Sequence, residues 1–302
     1  SSSAPVAPSA ALALPSLHFD VREGQALVRS PTEAALYLAD EDHSMLRRVA
    51  LGDALAKPPP LPDHLGDHDD PPLSKAAADE VDVPLPGRPA QVFDLGDRVL
   101  VTIRDPGLLM VFATGDKPAE LGRVELPADA WGLAVSPDGS AAYVSSAWTH
   151  AVSKIDLATM TKAWTADVAR EPRGMSVSAD GKKLYVSHLV GTALTRIDVS
   201  GAAPVVERVA LPADPLHTLA NDKSVDASLG YATLLSPDGL RLYVARHALG
   251  ALWDWQGNPT VDVLVTANDA PLAPERHGPP FGRLSRDDLR NRGAWDQAGA
   301  IA

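Results

Sequence analysis

Arginine residues recur in this chain at the ends of short apolar segments. Arg88 and Arg173 precede such segments, whereas Arg104 and Arg246 follow them. The guanidinium group offers a planar set of donors that matches a carboxylate or a phosphate. If the four arginines converge, they predict a shallow site for an anion or for the carboxylate of a peptide. The alternative is that they pair with carboxylates of the same chain, for which the candidates are Asp40, Asp42 and Asp105.

Histidines follow the same kind of apolar segment in four places, which are His43, His150, His188 and His247. Neutral imidazole is a common ligand of transition metals, so two or three of these side chains meeting at one point would hold copper or zinc. Calcium is the third candidate cation. The offsets from the aligned strand aromatic are six, seven, three and four residues, and convergence does not follow from them. The alternative is that all four are ordinary histidines in exposed loops.

The composition excludes several classes of function. A formal net charge of -12 argues against a nucleic-acid partner, because phosphates are bound through Lys and Arg. The chain has no cysteine, which excludes disulfides, thiolate metal sites and covalent haem attachment. Its apolar runs are shorter than the roughly 18–20 residues that cross a bilayer, so we expect no membrane span.

Internal repeats provide the elements that would position these side chains. Copies of a Val-Ser-Pro-Asp-Gly type of segment begin at Val135, Val177 and Leu235, an earlier copy begins at Val28, and a divergent one begins at Val92. The step from Ser136 to Ser178 is 42 residues, and the step from Val92 to Val135 is 43 residues. Short apolar strands with Gly turns at this period predict an all-β propeller, with each repeat forming a four-stranded blade.

Five repeats allow more than one arrangement. They can close a five-bladed ring, or they can be part of a seven-bladed ring that further blades or a partner complete, because an open arc would expose strand edges. We assign residues 1–17 to a flexible tether and residues 18–265 to the blades, with an insert at 52–80. Residues 266–302 are assigned to an irregular tail, which would continue into missing blades or a partner domain.

The N-terminal segment suggests where the protein works. Residues 1–17 are rich in Ser, Ala and Pro, which is typical of a tether after a removed export signal or after a lipid-anchored residue. We therefore expect an extracytoplasmic protein in the periplasm, on the cell surface or secreted. The insert carries His and Asp at 63–70, but its Pro and Gly residues favour a solvated acidic loop over a metal site.

The pattern Ser-Pro-Asp-Gly, Leu-Tyr-Val and Ile-Asp resembles the YVTN-type β-propeller repeat family over about 26–265. Pro-Asp-Gly suits a tight turn, and Leu-Tyr-Val suits a buried strand. The resemblance implies an exported bacterial propeller. Some propellers of this kind are lactonases or dehydrogenases, and some precede a di-haem peroxidase domain on the same chain. If that last architecture applies, the haem domain lies outside this sequence.

The propeller geometry would bring the candidate residues to one end of a central channel. The loops that enter the first strands and the loops that join the second and third strands open at that end, so Trp131 and Tyr231 would join the four arginines. We interpret the chain as a binding or scaffold module that docks a protein or an attached domain there. The alternative is an enzyme or redox component, either a lactonase-like metal hydrolase or the propeller part of a haem peroxidase.

Overall fold

A computed structural model shows the repeat region as a series of strands. It describes residues 22–51, 80–191, 193–211, 214–218, 224–225, 228–248 and 258–272. The tether predicted at 1–17 lies outside the described residues, as do nearly all of the insert predicted at 52–80 and positions 273–302 of the predicted tail. In the described segments no helix is long and apolar enough to cross a membrane.

The first two blades are four-stranded antiparallel sheets whose strands follow the chain order. The first blade contains β1 (Leu27–Arg29), β2 (Ala35–Asp40), β3 (Met45–Ala50) and β4 (Glu80–Pro84). The second blade contains β5 (Pro89–Asp94), β6 (Arg98–Ile103), β7 (Leu108–Ala113) and β8 (Glu120–Glu125).

The third and fourth blades repeat the same plan. The third blade contains β9 (Ala130–Val135), β10 (Ala141–Ser146), β11 (Ala151–Asp156) and β12 (Thr161–Asp167). The fourth blade contains β13 (Pro172–Val177), β14 (Lys183–His188), β15 (Ala193–Asp198) and β16 (Val205–Ala210).

A short hairpin separates the fourth blade from the fifth. It pairs β17 (Asp214–Thr218) with β18 (Ser224–Val225). The fifth blade contains β19 (Ser228–Leu235), β20 (Arg241–Ala248), β21 (Asn258–Val265) and β22 (Ala270–Pro271). Its last strand falls within the segment predicted as an irregular tail. Five four-stranded sheets in chain order confirm the predicted all-β architecture of propeller blades.

The blades pack side by side through their first strands. The first strand of each blade contacts the first strand of the next, from β1 through β5, β9 and β13 to β19. Strand β10 is buried at every position, whereas the outermost strand β16 is exposed at most positions. Apolar side chains therefore fill the space between neighbouring blades. Leu100 and Leu109 of the second blade pack with Leu133 and Val144 of the third, and burial of each such side chain contributes about 1.5–3 kcal/mol.

Hydroxyl groups connect the second blade to the third and the third blade to the fourth at the same place in the repeat. Thr102 Oγ1 donates to Trp131 O (3.0 Å), and Ser145 Oγ donates to Arg173 O (2.9 Å). The close approach needs a glycine, because a Cβ at Gly132 would lie 2.2 Å from Arg173 O. These bonds hold the starts of neighbouring first strands in a defined position, and those starts carry the candidate site.

The predicted Pro-Asp-Gly turns are present between the first and second strands. In the third blade, the Asp138 carboxylate accepts hydrogen bonds from the hydroxyls of Ser136 and Ser140, and Gly139 has φ +69°. The Ser136 hydroxyl is the main reason that the pKa of Asp138 falls to about 2. The same hydroxyl–carboxylate bond recurs in the fourth and fifth blades. These aspartates therefore stabilise turns.

Residues 22–25 lie along the inner edges of two blades. Gln25 N donates to Val92 O of β5 (3.0 Å), and Gly24 N donates to Leu133 O of β9 (2.7 Å). A Cβ at Gly24 would lie 2.7 Å from Leu133 Cβ, so the absence of a side chain allows this contact. This axial segment covers backbone groups that the first strands would otherwise expose.

Candidate functional site at the mouth end

An alternating series of charges crosses the end of the molecule where first strands begin and second strands end. We call this the mouth end, and we call the series the mouth network. Its members in spatial order are Arg88, Glu41, Arg104, Asp129, Arg173 and Glu171. Glu41 Oε1 lies 3.4 Å from Arg88 Nη2 and 2.6 Å from Arg104 Nη1. The network thus begins at the first blade and ties it to the second.

Asp129 is the buried centre of the mouth network. Its side chain is fully buried and lies 2.6 Å from Arg104 Nε and 3.8 Å from Arg173 Nη1. Its backbone has φ +58°, a conformation that Asp tolerates better than most residues. Its amide donates to Arg104 O at 2.7 Å. The turn before β9 therefore places this carboxylate between arginines of two other blades.

Arg173 links the network to an aromatic side chain. Its Nη2 lies 2.9 Å from Glu171 Oε2, and its guanidinium carbon lies 5.3 Å from the ring centroid of Trp131. A guanidinium over an indole face is favourable by about 0.5–2 kcal/mol. The charge of Arg173 is therefore balanced by carboxylates and its plane is held against Trp131.

The sequence predicted the wrong internal partners for the arginines. Asp40 accepts a hydrogen bond from Arg47 Nε (2.6 Å) instead, because both side chains stand on one face of neighbouring strands β2 and β3. The side chains of Asp42 and Asp105 are exposed and make no ion pair within the described residues. The carboxylates that do pair are Glu41, Asp129 and Glu171.

A positional signal for these carboxylates was present in the sequence. Asp129 and Glu171 each stand two residues before a predicted mouth residue, Trp131 or Arg173. Glu41 occupies the same repeat position as Arg104, one residue after the second strand. Comparing repeat positions for opposite charge, in addition to searching for arginines, would have identified them.

The remaining predicted binding residues have different surroundings. Arg246 is buried and forms an ion pair with Asp262 of the neighbouring strand β21, inside the fifth blade. Tyr231 is 37% exposed and lies next to the fourth blade, because a Cβ at Gly174 would come within 2.6 Å of Tyr231 O. Arg88 is the most exposed of the paired arginines. The mouth end thus unites Arg88, Arg104, Trp131, Arg173 and Tyr231, whereas the ion pair of Arg246 with Asp262 lies within the fifth blade.

Three of the four predicted metal ligands have described side chains, and they lie in different environments. His43 is exposed beside Asp40, and His150 lies in the turn after β10 with φ +54°. His188 is buried, with Nδ1 3.0 Å from Arg170 O and Nε2 2.7 Å from Thr195 Oγ1. The side chain of His247 lies outside the described set.

Burial is the main reason that the pKa of His188 falls to about 4, so its ring is neutral at pH 7. Within the described part of the chain, no group of three or more His, Cys, Asp or Glu side chains is arranged to hold a metal ion. The copper, zinc or calcium site therefore stays a prediction.

Exposed apolar side chains accompany the mouth network. Trp148, on the loop between β10 and β11, is 58% exposed, and Val190, on the loop between β14 and β15, is 45% exposed. Both loops join second and third strands and so belong to the mouth end, as does Tyr231. Large exposed apolar groups of this kind mark contact surfaces when they cluster. Sequence reasoning placed Trp148 on a loop of this end but selected Trp131 and Tyr231, and not Trp148, as binding residues; it did not single out Val190.

A carboxyl group also lies in the axial segment. Glu23 is half-buried between the first strands, and burial raises its pKa, while a hydrogen bond from the Ser176 hydroxyl acts in the opposite direction. The backbone bonds of Gly24 and Gln25 to β9 and β5 position it. This group was not singled out from the sequence, because only the fold places it on the axis.

Comparison with known proteins supports the fold. No family model matches the chain, and no curated protein matches it in sequence. Hydrazine synthase of Kuenenia stuttgartiensis is similar in structure at 17% identity with a TM-score of 0.57, over 84% of this chain and 66% of that one. The chain therefore spans slightly less than two thirds of that relative's length.

Two further solved structures give the same result. A Lactobacillus plantarum protein is 12% identical with a TM-score of 0.54, covering 83% of this chain and 70% of that one. A Bacteroides fragilis protein provisionally named a 6-phosphogluconolactonase is 14% identical with a TM-score of 0.55, covering 82% and 68%. Similarity at this level of identity shows the fold and leaves the activity open. The chain is built of β-propeller blades.

Proposed function

We propose that this chain is an extracytoplasmic propeller module that docks a protein partner through its mouth end. The observation that carries the proposal is the exposure of Trp148, which is 58% accessible on a loop of that end. Val190 and Tyr231 add exposed apolar surface at the same end. Aromatic side chains that are exposed in the free protein become the central contacts of many protein interfaces.

The charges of the mouth end fit a docking platform better than an anion site. The mouth network contains three arginines and three carboxylates, so its formal charge is zero. Arg104 and Arg173 each already contact two carboxylates, and a ligand anion would have to displace one of them. A neutral platform costs less to desolvate than unpaired charges do, which favours contact with a protein surface.

Arg88 gives the proposed interface its polar contact. Its side chain is 62% exposed, and its single ion pair among the residues that the structure describes, with Glu41, is 3.4 Å long. An exposed pair of this length is worth at most about 1 kcal/mol, so the guanidinium can exchange Glu41 for a carboxylate of the partner. We therefore expect a partner that presents an apolar patch with a carboxylate at its edge.

The cellular location and the family remain proposals. The extracytoplasmic assignment rests on the Ser-, Ala- and Pro-rich composition of residues 1–17, and the YVTN-type assignment rests on the repeat pattern. The alternative of a metal hydrolase or a haem-peroxidase propeller stays a prediction. The activities in the names of the similar solved structures belong to those proteins and are not transferred to this chain.

The proposal is tested by site-specific photocrosslinking. A benzophenone side chain is placed at Trp148 or, as a matched control, at Leu240, which is 62% exposed in the turn between β19 and β20 at the opposite end. Cells of the source organism are irradiated, and the adduct is identified by mass spectrometry. We expect a partner at position 148 and none at position 240.

The identified partner is then purified and titrated against variants. Trp148→Ala and Tyr231→Ala should each weaken binding at least about tenfold, as expected for interface centres, and Leu240→Ala should leave the affinity unchanged. Equal loss from Leu240→Ala, or unchanged affinity in Trp148→Ala, would contradict docking at the mouth end.

A further inference from the structure

A cavity lies between the third and fourth blades at the end of the molecule opposite to the mouth. Its volume is about 250 Å³. Its walls come from the turn after β9, from the turn after β13 and from the side chains of Tyr143 and Lys154. The cavity is separate from the mouth network, and neither docking nor the ion pairs described above account for it.

The same boundary can be compared between blades because the residues on it repeat. In three blades an aromatic residue of the second strand is paired in register with a cation of the third strand. These pairs are Tyr37 with Arg48, Tyr143 with Lys154, and Tyr185 with Arg196.

Both arginines of these pairs reach a carboxylate supplied by the next blade. Arg48 Nη2 lies 3.2 Å from Asp116 Oδ1, and Arg196 Nη1 lies 2.5 Å from Asp269 Oδ2. Each carboxylate stands in the turn between the third and fourth strands of its blade. Arg48 also pairs with Glu33 of its own blade, at 2.8 Å. A carboxylate from the next blade is thus one partner of the cation at both boundaries.

The fourth–fifth boundary shows the complete arrangement. Asp269 is buried, and its Oδ1 accepts a hydrogen bond from the Tyr185 hydroxyl at 2.7 Å while its Oδ2 binds Arg196. Lys183 Nζ lies 3.4 Å from Oδ1. One carboxylate thus satisfies both the phenol and the cation of the paired strands.

The third–fourth boundary lacks this carboxylate. The turn of the fourth blade at 199–204 reads Val-Ser-Gly-Ala-Ala-Pro. In the fourth blade Arg196 is paired with the strand tyrosine, and in the fifth blade Val263 is. Six residues after these positions stand Ala202 and Asp269, so Ala202 has the repeat position of Asp269. The cavity lies at this boundary, and Val199 at the start of the turn is part of its lining.

The donors on the other side of the boundary are present. Among described residues, Lys154 forms no ion pair and the Tyr143 hydroxyl has no hydrogen-bond partner. Lys154 Nζ lies 5.9 Å from the Tyr143 ring centroid. Both side chains line the cavity, so a phenol and an ammonium group face the space that a carboxylate fills at the next boundary.

We propose that this cavity binds a small organic carboxylate, with Lys154 and the Tyr143 hydroxyl as its ligands. The carboxylate group takes the place that Asp269 takes at the next boundary. The body of the ligand lies against the apolar walls formed by Pro137, Ala141, Ala179 and Val199. A volume of 250 Å³ is below the usual range of about 300–1,000 Å³ for drug-sized ligands, which limits the ligand to roughly the size of one ring.

The charges of the rim restrict the ligand further. Asp138 and Asp180 border the cavity, and both carboxylates already accept bonds from serine hydroxyls of their turns. Their negative charges oppose phosphates and dicarboxylates, because like charges at short distance repel. The same repulsion acts on a monocarboxylate but is smaller for its single charge, which Lys154 balances, so we expect a monocarboxylate to bind better than a phosphate or a dicarboxylate.

Binding is measured with benzoate as the probe and benzamide as its neutral counterpart of similar shape. Backbone amide shifts of Ser140 and Gly181, on the two cavity walls, are followed by NMR during titration at constant ionic strength. We expect saturable shifts with benzoate and at least tenfold weaker binding of benzamide. The same titration with N-acetyl-alanylalanine and with its C-terminal amide tests whether the C-terminus of a peptide can supply the carboxylate.

Variants separate the site from general surface effects. Lys154→Met should weaken benzoate binding at least tenfold, and Tyr143→Phe should weaken it about threefold. Lys162→Met, an exposed lysine of the outer strand β12, should leave it unchanged. Ala202→Asp introduces a carboxylate at the repeat position of Asp269 and should weaken or abolish the benzoate shifts. Equal shifts with benzamide, an unchanged affinity in Lys154→Met, or no saturable shift with any of the acids would overturn the proposal.

Discussion

Two buried aspartates, Asp129 at the mouth end and Asp269 at the opposite end, fasten neighbouring blades in related ways. Both have positive φ, +58° and +56°, and both bind cations from other blades. They differ in how well they are satisfied. Both oxygens of Asp269 are bound, by Tyr185 and by Arg196, whereas Asp129 Oδ2 is buried without a hydrogen-bond partner in the described structure.

This difference shows what each tie contributes to the molecule. Asp129 is fully buried between Arg104 and Arg173, whose side chains are 23% and 12% exposed. The cations of Asp269 are about as accessible, with Arg196 at 24% and Lys183 at 28%, but its carboxylate is 8% exposed whereas that of Asp129 is 0% exposed. When a partner is removed, water can solvate part of the remaining charge at the opposite end but little of it at the mouth end. Removing one partner of a desolvated pair leaves an uncompensated charge.

The largest effect is expected for Asp129→Asn. The substitution keeps the shape and the tolerance of positive φ, but it removes the negative charge between two arginines and directs an amide at one of them. We expect the free energy of unfolding in urea to fall by about 3–5 kcal/mol. Asp97→Asn, which removes an exposed partner of the adjacent Arg98, should change it by less than about 0.5 kcal/mol. A change below about 1 kcal/mol at Asp129 would contradict the view that this carboxylate contributes more to stability than Asp269 does.

Acid should destabilise the mouth end in particular, because His188 lies next to the mouth network. Burial first, then the charges of Arg208 and His150, lower its pKa to about 4, against hydrogen bonds to backbone that raise it. The folded pKa lies below the unfolded value of about 6.5, so the unfolded state takes up the proton first as the pH falls. The stabilisation is complete above about pH 6.5 and is lost between there and pH 4.

The expected loss for His188 is about 3 kcal/mol in total, with a slope of about 1.4 kcal/mol per pH unit. Unfolding free energies of the protein and of His188→Gln, measured from pH 7.5 to pH 4, isolate this contribution from that of the carboxylates. Glutamine can hydrogen-bond Arg170 O and Thr195 without titrating. Parallel pH profiles for the two proteins would show that His188 does not weaken the mouth end in acid.

The sequence predicted the blades well and the site in part. Repeated Tyr-Val strands and Asp-Gly turns are local patterns, and the structure confirms five blades from them. The convergence of Arg88, Arg104 and Arg173 also follows from the repeat. The partners of these arginines do not, because Glu41 and Asp129 come from other blades and their choice depends on side-chain directions across blade boundaries. The cavity beside Lys154 could not be predicted from the sequence either, since it depends on the absence of a carboxylate in another repeat.

A smaller effect, of about 1–2 kcal/mol, is expected for Asp269→Asn, because its cations remain partly in water. The pKa of Tyr185 is raised mainly by burial, and the hydrogen bond to Asp269 and its charge raise it further. The variant should therefore lower the pKa of Tyr185, which is measured by ultraviolet absorbance in alkaline titration.

Double-mutant cycles complete the comparison by measuring the coupling of each aspartate with one of its arginines. One cycle uses Asp269→Asn with Arg196→Met, and the other uses Asp129→Asn with Arg104→Met. Coupling energies measured in this way isolate the pair from the loss of packing. We expect the larger coupling for Asp129, since its carboxylate is 0% exposed whereas that of Asp269 is 8% exposed. A larger coupling at Asp269 would mean that complete hydrogen bonding contributes more to these blade contacts than desolvation does.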